Sequence, residues 1–563
     1  DMLGTRTHQS SMEAGERWIQ QDASGNMLYT WTSRDHRFRT AYDRLRRPSE
    51  SFLHDGGDLE VLVGRSVYGE DLPNPQARNV RGKVVTVFVQ AGVVTSDEYD
   101  FKGNTLYSAR QLAREYKAAL DWSSPVEREQ ATYITRTRYD ALNRPVQLIA
   151  PHSDQAGVRV NVIQPVYNEA NLLEELHVWL DQDSEPPTIL EPASRSPHGV
   201  KNIDYNGKGQ RTRVEHGNGA VTQYEYDPHT FRLISLKTTR ASDRARLQDL
   251  SYTYDAAGNI VHIHDDAQQT VFFRNRQVEP SCAFSYDATY RLIEATGREQ
   301  LAHGSGAPIP HSHDDALRVA LQHPGDGNAM GVFLERYSYD SVGNFATMQH
   351  RGSDPADSGW TRKYAYDESS LTESGRRSNR LSSTTIGAVT ETYSTGGDGY
   401  DPHGNMLRLP HLRALQWDFK DQLHMTRRQA VTAADADDVR HEGEHTWYVY
   451  SSTGQRVRKV TESSDGPPKS ERIYLQGFEL HRTSGDTLVR ETLHLMDGKQ
   501  RVALIETRTA GTDRGPQRLV RYQFGNHLAS ASLELDDQAE IISYEEYTPY
   551  GATSYQAVRS RTE

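Results

Sequence analysis

The chain has 563 residues, of which 35% are hydrophobic and 25% are charged, and its net charge is −13. This length exceeds one ordinary domain and the apolar content is low for a compact core, yet 30 tyrosines, 13 phenylalanines and 7 tryptophans argue against disorder. Mixed acidic and basic residues exclude a nucleic-acid-binding stripe, no apolar run is long enough for a membrane span, and a single cysteine, Cys282, excludes an internal disulfide.

One short frame recurs along the whole chain: an aromatic residue, Asp, two variable residues, Gly and a polar residue. Clear copies begin at Tyr99, Tyr254, Tyr339 and Tyr400, and looser copies begin at Gln21, Tyr42, Tyr139, Tyr167, Tyr205, Tyr226, Tyr286, Trp417 and Tyr450. Alternating apolar and polar residues flank most copies, which is typical of β-strands. The repeat therefore predicts a mainly β chain of successive hairpins, and a thin sheet with two solvated faces explains the low apolar content.

The residues of the frame have the chemistry of a hairpin turn. The Asp side chain can accept a backbone N–H two residues further on, and the fifth position needs a positive φ, which Gly and Asn tolerate. Glycine occupies that position at 25, 103, 209, 258, 343, 404 and 454, and Asn143 and Asn171 occupy it in two more copies. This pattern predicts a type I turn closed by a left-handed residue in a bulge. A catalytic loop would occur once, so the repetition indicates a structural role.

Taken in chain order, three kinds of segment depart from plain hairpins. Residues 108–120, SARQLAREYKAAL, place Ala109, Leu112, Ala113, Tyr116 and Leu120 on one stripe and predict a helix inserted against the sheet. Residues 168–180 also contain helix-forming residues, but alignment on the frame favours Asn171 as a turn residue and 173–180 as a strand. Segments 181–200, 300–332 and 426–446 are rich in Pro, Gly, Asp or His and are predicted to be loops.

Two histidine pairs have the spacing of zinc ligands on one strand face. They are His262 and His264 followed by Asp266, and His311 and His313 followed by Asp315. Alanine follows each set where the metallo-β-lactamase pattern supplies a third histidine, and the glycine-rich context of that pattern is missing. We interpret the first set as a polar strand face and the second as a polar loop.

A third candidate is the sequence His441-Glu442-Gly443-Glu444-His445, which matches the H-E-x-x-H zinc motif. That motif requires a helix, whereas Gly443 interrupts this one and 446–450, TWYVY, predicts a strand directly after it. Cys282 has no neighbouring residues that would activate a thiol. The sequence therefore predicts no catalytic, cofactor-binding or metal-binding residues.

The thirteen frames, together with four longer stretches, resemble the RHS/YD-repeat family. The stretches are 160–180, 324–331 with the following YSYDSVGN, 472–480, and 521–551, RYQFGNHLASASLELDDQAEIISYEEYTPYG. More narrowly, the chain is similar to the B and C components of ABC-type (Tc) insecticidal toxin complexes and to related SpvB-like proteins. The resemblance implies a long β-sheet strip that spirals into a hollow, secreted shell.

In that family the shell encloses a cytotoxic C-terminal domain, which is freed by self-cleavage and passed through a channel formed by the A component. The resemblance therefore implies three partners: the rest of the shell with its upstream B-like segment, the toxin payload, and the A-type channel. We expect residues 1–520 to form the YD-repeat shell with loop insertions and 521–563 to begin the RHS-associated core. The core's terminal motif has no counterpart before Glu563, so no protease residue is carried over and no enzyme is expected.

Two other functions remain open from the sequence. YD repeats also occur on cell surfaces, so the chain could be an extracellular adhesion or carbohydrate-binding protein. A metal-dependent hydrolase built on one of the histidine clusters is the third alternative. A hypervariable C-terminal domain in the full-length gene would favour the toxin, and a membrane anchor would favour adhesion.

Overall fold

The chain is almost entirely β-structure, as predicted from the repeat. The computed structural model describes residues 4–57, 59–301, 329–353, 359–394, 398–429, 443–463, 466–483, 488–498, 500–513 and 515–559. These residues form 40 strands and two short 3-10 turns, Gly69–Asp71 and Pro192–Ser194, and contain no α-helix. None of their helical segments is long and apolar enough to cross a membrane.

The first twenty strands have the following bounds: β1 His8–Ser11, β2 Gly15–Gln21, β3 Met27–Thr32, β4 Arg37–Tyr42, β5 Pro48–His54, β6 Val61–Tyr68, β7 Val84–Val89, β8 Gly92–Tyr99, β9 Thr105–Ala113, β10 Arg128–Tyr139, β11 Pro145–Ser153, β12 Val160–Tyr167, β13 Leu173–Gln182, β14 Val200–Tyr205, β15 Arg211–His216, β16 Ala220–Tyr226, β17 Leu233–Arg240, β18 Arg246–Tyr254, β19 Ile260–Asp265 and β20 Val271–Phe273.

The remaining strands are β21 Arg276–Val278, β22 Ser281–Tyr286, β23 Leu292–Gln300, β24 Met330–Tyr339, β25 Phe345–Arg351, β26 Trp360–Ala365, β27 Ser383–Ile386, β28 Val389–Thr392, β29 Leu412–Trp417, β30 Leu423–Arg428, β31 His445–Tyr450, β32 Arg456–Glu462, β33 Pro468–Leu475, β34 Phe478–Thr483, β35 Val489–Met496, β36 Arg501–Ala510, β37 Arg518–Gly525, β38 Ala531–Leu535, β39 Ile541–Tyr547 and β40 Thr553–Val558.

Nearly every strand pairs antiparallel with its neighbours in the sequence. The strands form a 26-stranded sheet from β1 to β28, a separate hairpin of β20 and β21, and a 12-stranded sheet from β29 to β40. Because successive turns of such a meander alternate between its edges, the frames that join β2 to β3, β4 to β5, and so on to β24 and β25 all lie on one edge of the larger sheet. The opposite edge carries the longer and more variable connections.

The larger sheet curves until its end meets its beginning. The backbone N–H of Leu371 donates to the Met12 carbonyl at 3.0 Å, and the N–H of Asn379 donates to Glu13 Oε1 at 2.7 Å. Arg34 Nε lies 3.6 Å from Asp401 Oδ2. Residues 12–34 therefore form a closing seam with residues 371–394 and 398–405, which completes one turn of a spiral.

The smaller sheet then runs along the larger one in the same order. Arg34 contacts Asp421 at 3.0 Å near the start of this contact, Arg211 contacts Asp497 at 2.6 Å in the middle, and the hydroxyls of Tyr339 and Tyr550 lie 2.7 Å apart at its end. Between these ends the larger sheet takes eighteen strand steps, β4 to β24, and the smaller takes eleven, β29 to β40. At about 4.8 Å per step the paths are roughly 86 and 53 Å long. The smaller sheet takes the shorter path and so lies on the concave side.

The main hydrophobic core fills the space between the two sheets. Its members come from both, including Leu112, Val178, Leu493, Tyr522 and Leu535, all of which are almost completely buried. Burial of this core stabilises the fold, because apolar burial scales with the area removed from water. Two smaller apolar clusters lie outside it, one of Ile149, Val160, Val162 and Trp179 and one of Leu236, Leu250 and Tyr252.

The helix predicted over 108–120 is wrong. Residues 105–113 form β9, which pairs with β8 and with β10. Four residues of the predicted apolar stripe are buried, namely Ala109, Leu112, Ala113 and Leu120. The prediction of buried residues is therefore correct, and the prediction of a helix is not. The hydrogen bonds to strands on both sides outweigh the helix propensity of the segment, which is a weak preference per residue.

The strand predicted over 173–180 is confirmed. Asn171 adopts the left-handed conformation at φ 65°, and β13 follows it over Leu173–Gln182. Residues 183–199 connect β13 to β14 without a strand, as the loop prediction for 181–200 expected apart from its ends. The other two predicted loops fall largely on 302–328 and 430–442, which lie outside the described residues.

Candidate functional site

The repeated turn has the predicted backbone conformation. All seven frame glycines have a positive φ, from 74° at Gly209 to 106° at Gly258, and Asn143 has a φ of 64°. The four frames without Gly or Asn also contain a left-handed residue, which the sequence did not reveal: Arg46, Phe231, Tyr290 and Asp421. The surrounding hydrogen bonds thus impose the conformation even on side chains that adopt it reluctantly.

In the frame at Tyr254 the aspartate organises the turn through both carboxylate oxygens. Asp255 Oδ1 accepts the backbone N–H groups of Gly258 at 2.6 Å and Asn259 at 2.9 Å, while its Oδ2 accepts the Asn259 side-chain amide at 2.7 Å. The hydrogen bond from the Asn259 side chain is the main reason that the pKa of Asp255 lies below its ordinary value. These acceptor positions are occupied by the turn itself.

In eight frames the tyrosine joins its hairpin to the one before it. The Tyr254 hydroxyl donates to the Leu233 carbonyl at 2.6 Å, and Leu233 is the first residue of the previous outgoing strand. Equivalent bonds run from Tyr42 to Met27, Tyr99 to Val84, Tyr167 to Pro145, Tyr205 to Leu173, Tyr286 to Ile260, Tyr339 to Leu292 and Tyr450 to Leu423. Trp417 makes the same link with its indole N–H, which donates to Met406 at 2.7 Å. Sequence reasoning missed this role, although tyrosine rather than phenylalanine opens the frames.

We expect Tyr254→Phe to lower the free energy of unfolding by about 1 kcal/mol, because the Leu233 carbonyl loses its donor while the ring stays in place. Tyr290→Phe is the matched control, since Tyr290 lies in a frame turn but is 63% exposed. Urea unfolding of both variants measures the difference. Equal stability of the two would show that the hydroxyl link contributes nothing.

The metal-like residues do not assemble into a ligand cluster in the part of the chain that is described. His262 and His264 lie on β19 with parallel rings 6.4 Å apart, and His264 Nε2 lies 3.3 Å from Asp266 Oδ1. His445 begins β31, so the strand predicted after the H-E-x-x-H sequence is confirmed. His311, His313, Asp315, His441 and Glu442 lie outside the described residues. That the chain has no catalytic or metal site remains a prediction.

Cys282 lies on β22, where burial raises the pKa of its thiol to about 12. A thiol with that pKa stays protonated near neutral pH and is a poor nucleophile. That Cys282 takes no part in chemistry remains a prediction.

A buried charge cluster around His350 was not anticipated from the sequence. His350 Nε2 lies 3.0 Å from Glu299 Oε2, and His350 Nδ1 lies 3.1 Å from Glu335 Oε1. The imidazole stacks between Phe333 and Trp360. Burial alone lowers the pKa of His350, but its hydrogen bonds to the two carboxylates outweigh that effect and raise the pKa to about 9.

A raised histidine pKa makes stability depend on pH. The protonated His350 stabilises the fold fully below its unfolded pKa of about 6.5, and this contribution is lost as pH rises through about 9. We expect the loss to be on the order of 2 to 3 kcal/mol. Melting temperatures from pH 6 to pH 9.5 measure it, and His350→Gln should flatten the profile. Identical profiles for both proteins would contradict this assignment.

A repeated bulged turn, consecutive strand pairing and a sheet that closes on itself define a YD-repeat β-shell. No protein-family model matches the chain. Two curated relatives from Yersinia entomophaga are similar over most of it: toxin subunit YenC2, 26% identical over all of this chain, and toxin subunit YenC1, 27% identical over 90%. The chain spans 57% and 49% of their lengths, about half of the curated relatives it matches.

Solved structures agree with these relatives. The crystal structure of TcdB2-TccC3 superposes with a TM-score of 0.81 at 25% identity, over all of this chain and 26% of that one. A structure of a mutant Tc holotoxin pore from Photorhabdus luminescens gives the same TM-score at 24% identity, over all of this chain and 24% of that one. The chain thus has the RHS shell fold of Tc toxin B and C components, as the sequence resemblance implied.

Proposed function

We propose that the chain is a structural segment of a toxin-encapsulating RHS shell, which encloses a cytotoxic domain and helps to deliver it. The observation that carries this proposal is the superposition of the whole chain on TcdB2-TccC3 with a TM-score of 0.81. The concave smaller sheet and the closing seam support it, because a curved sheet whose ends meet can bound an interior. The relatives named as toxin subunits support the same class of function.

Within this proposal the chain carries no catalysis of its own and is secreted as part of the toxin complex. Its partners would be the remaining shell, including an upstream B-like segment, the toxin payload and the A-type channel. The division into a shell at 1–520 and the start of the RHS-associated core at 521–563 remains part of the proposal. Strand β37 spans this division and pairs normally with β36 and β38, so we expect the two parts to fold as one body.

The test compares two proteins that carry the same unfolded reporter at the C-terminus. One contains this chain, and the other contains this chain followed by the complete core of its full-length protein. We expect the longer protein to protect the reporter from added protease and to cleave itself, as read by intact mass, and the shorter protein to do neither. Exposed strand edges in the shorter protein should also make it more prone to aggregate.

Two outcomes would contradict the proposal. Full digestion of the reporter in the longer protein would show that the shell encloses nothing. Tight binding of the short chain to a glycan array, without any protection of the reporter, would favour the adhesion function instead. A reporter fused at the N-terminus of the longer protein provides the control for protease access.

A further inference from the structure

One face of the smaller sheet carries a row of positive charges that has few acidic partners. Pairing places Lys459 directly opposite Arg472, and Arg472 directly opposite His481. Side chains opposite each other in antiparallel strands have Cβ atoms about 5 Å apart. A bulge at Val457 brings Arg456 to the same face, where its guanidinium lies 4.5 Å from the centre of the Tyr474 ring. We call Arg456, Lys459 and Arg472 the cationic row; burial and the charge of Arg472 lower the pKa of the neighbouring His481, which is therefore neutral near neutral pH.

The carboxylates near the row neutralise only part of it. Arg472 Nη1 contacts Glu479 Oε2 at 2.9 Å, but Glu479 also contacts His494 at 3.1 Å. Across the described ranges, no ion pair joins Lys459 or Arg456 to a carboxylate. Burial lowers the pKa of Lys459, and the charges of Arg456, Arg472 and Arg428 lower it further. Like charges placed opposite each other destabilise a sheet. An anion bound to this face would offset their repulsion and stabilise the sheet.

The orientation of the row follows from the path of the smaller sheet. The opposite face of the same strands, which includes Ile473 and Leu480, belongs to the core between the two sheets. Because the smaller sheet lies on the concave side of the larger one, the face with the cationic row points away from the larger sheet into the concavity. Arg456 and Arg472 are exposed there.

We propose that the cationic row binds an acidic stretch of polypeptide that lies along strands β32 and β33. The row extends about 10 Å along β32 from Arg456 to Lys459 and across to Arg472 on β33, so a single small anion cannot contact all of it, whereas successive carboxylates of one chain can. The rings of Tyr448 and Tyr474 next to Arg456 provide apolar contact for such a chain and hold the guanidinium in place. On the proposed function, the acidic stretch belongs to the enclosed chain.

The test measures binding of a fluorescein-labelled twelve-residue peptide of alternating Glu and Gly by anisotropy. We expect the double variant Arg456→Gln with Lys459→Gln to bind at least tenfold more weakly than the unaltered chain. The matched control is Lys201→Gln with Lys363→Gln, which removes the same charge from exposed positions on the larger sheet, and should change binding less than twofold. A peptide with Gln in place of Glu should not bind.

Equal weakening in both double variants would overturn the proposal, because the effect would then reflect net charge. Displacement of the peptide by millimolar inorganic phosphate, but not by chloride at equal ionic strength, would also overturn it in favour of a small oxyanion site. The melting temperature of the Arg456 and Lys459 variant should be no lower than that of the unaltered chain, since the change relieves repulsion. If the melting temperature is lower, the peptide affinity of Lys459→Met decides instead, because this variant keeps the apolar stem of the lysine and removes only its charge.

This result is separable from the shell proposal. Peptide binding at the row without protection of the reporter would leave the row in place and reject encapsulation. Protection of the reporter, with equal peptide binding by the two double variants, would support encapsulation and reject the cationic row as a binding site.

Discussion

Replacing Gly404 by alanine will destabilise the protein by about 3 kcal/mol or more. Gly404 has a φ of 79°, and a Cβ added there would lie 1.9 Å from the Glu13 carbonyl oxygen. The left-handed conformation alone costs about 1 to 2 kcal/mol for a residue with a Cβ. The clash adds more, because the opposing atom is backbone and the turn at 400–405 must move away from residues 12–15 to relieve it.

Gly343→Ala is the matched control for this variant. Gly343 occupies the same position of the same frame, with a φ of 99°, but a Cβ there would meet nothing within 4 Å. We expect it to cost about 1 kcal/mol. Urea unfolding of the two alanine variants isolates the contribution of the closing seam, and equal losses of stability would mean that the two ends of the larger sheet do not depend on each other.

Removing the positive charge at Arg298 will cost about 3 to 5 kcal/mol. Arg298 is 4% exposed, and its Nε lies 3.0 and 2.9 Å from the two carboxylate oxygens of Glu546 on the smaller sheet. Arg298→Met keeps most of the apolar volume but leaves the Glu546 charge without its cation. Tyr544 continues to donate to Glu546 at 2.8 Å, which is too little to compensate for the lost charge.

The double variant Arg298→Met with Glu546→Met should recover more than half of that loss, because no unpaired charge remains between the sheets. Melting temperatures of the two single variants and the double variant complete a double-mutant cycle. Strictly additive losses would show that the ion pair does not couple the sheets.

The local part of this structure could be predicted because each turn is encoded in six consecutive residues. The Asp and Gly of the frame at 254–259 determine the turn wherever it lies, so strands and left-handed positions followed from counting along the sequence. The same register corrected the helical reading of 168–180. The helix prediction for 108–120 fails because its alanines and leucines favour a helix when considered alone, whereas the frame at 99–104 places an outgoing strand directly after it.

The long-range part could not be predicted, since it depends on residues that meet only through strand pairing. Glu299, Glu335 and His350 lie on three adjacent strands and come together through the register of β23, β24 and β25. The seam between Glu13 and Gly404 joins residues almost 400 positions apart and depends on the curvature of the whole sheet. A single sequence contains no signal of comparable strength for either.

The backward links of the frame tyrosines indicate how the protein is assembled during synthesis. Each hairpin pairs with the one that left the ribosome before it, and its tyrosine hydroxyl bonds to a carbonyl that is already in place. The strip can therefore grow in one direction, hairpin by hairpin, with few contacts that wait for later sequence. Only when residues 371–405 emerge can the first strands be covered. A nascent chain arrested before that point would be ordered along its length and open at its first edge.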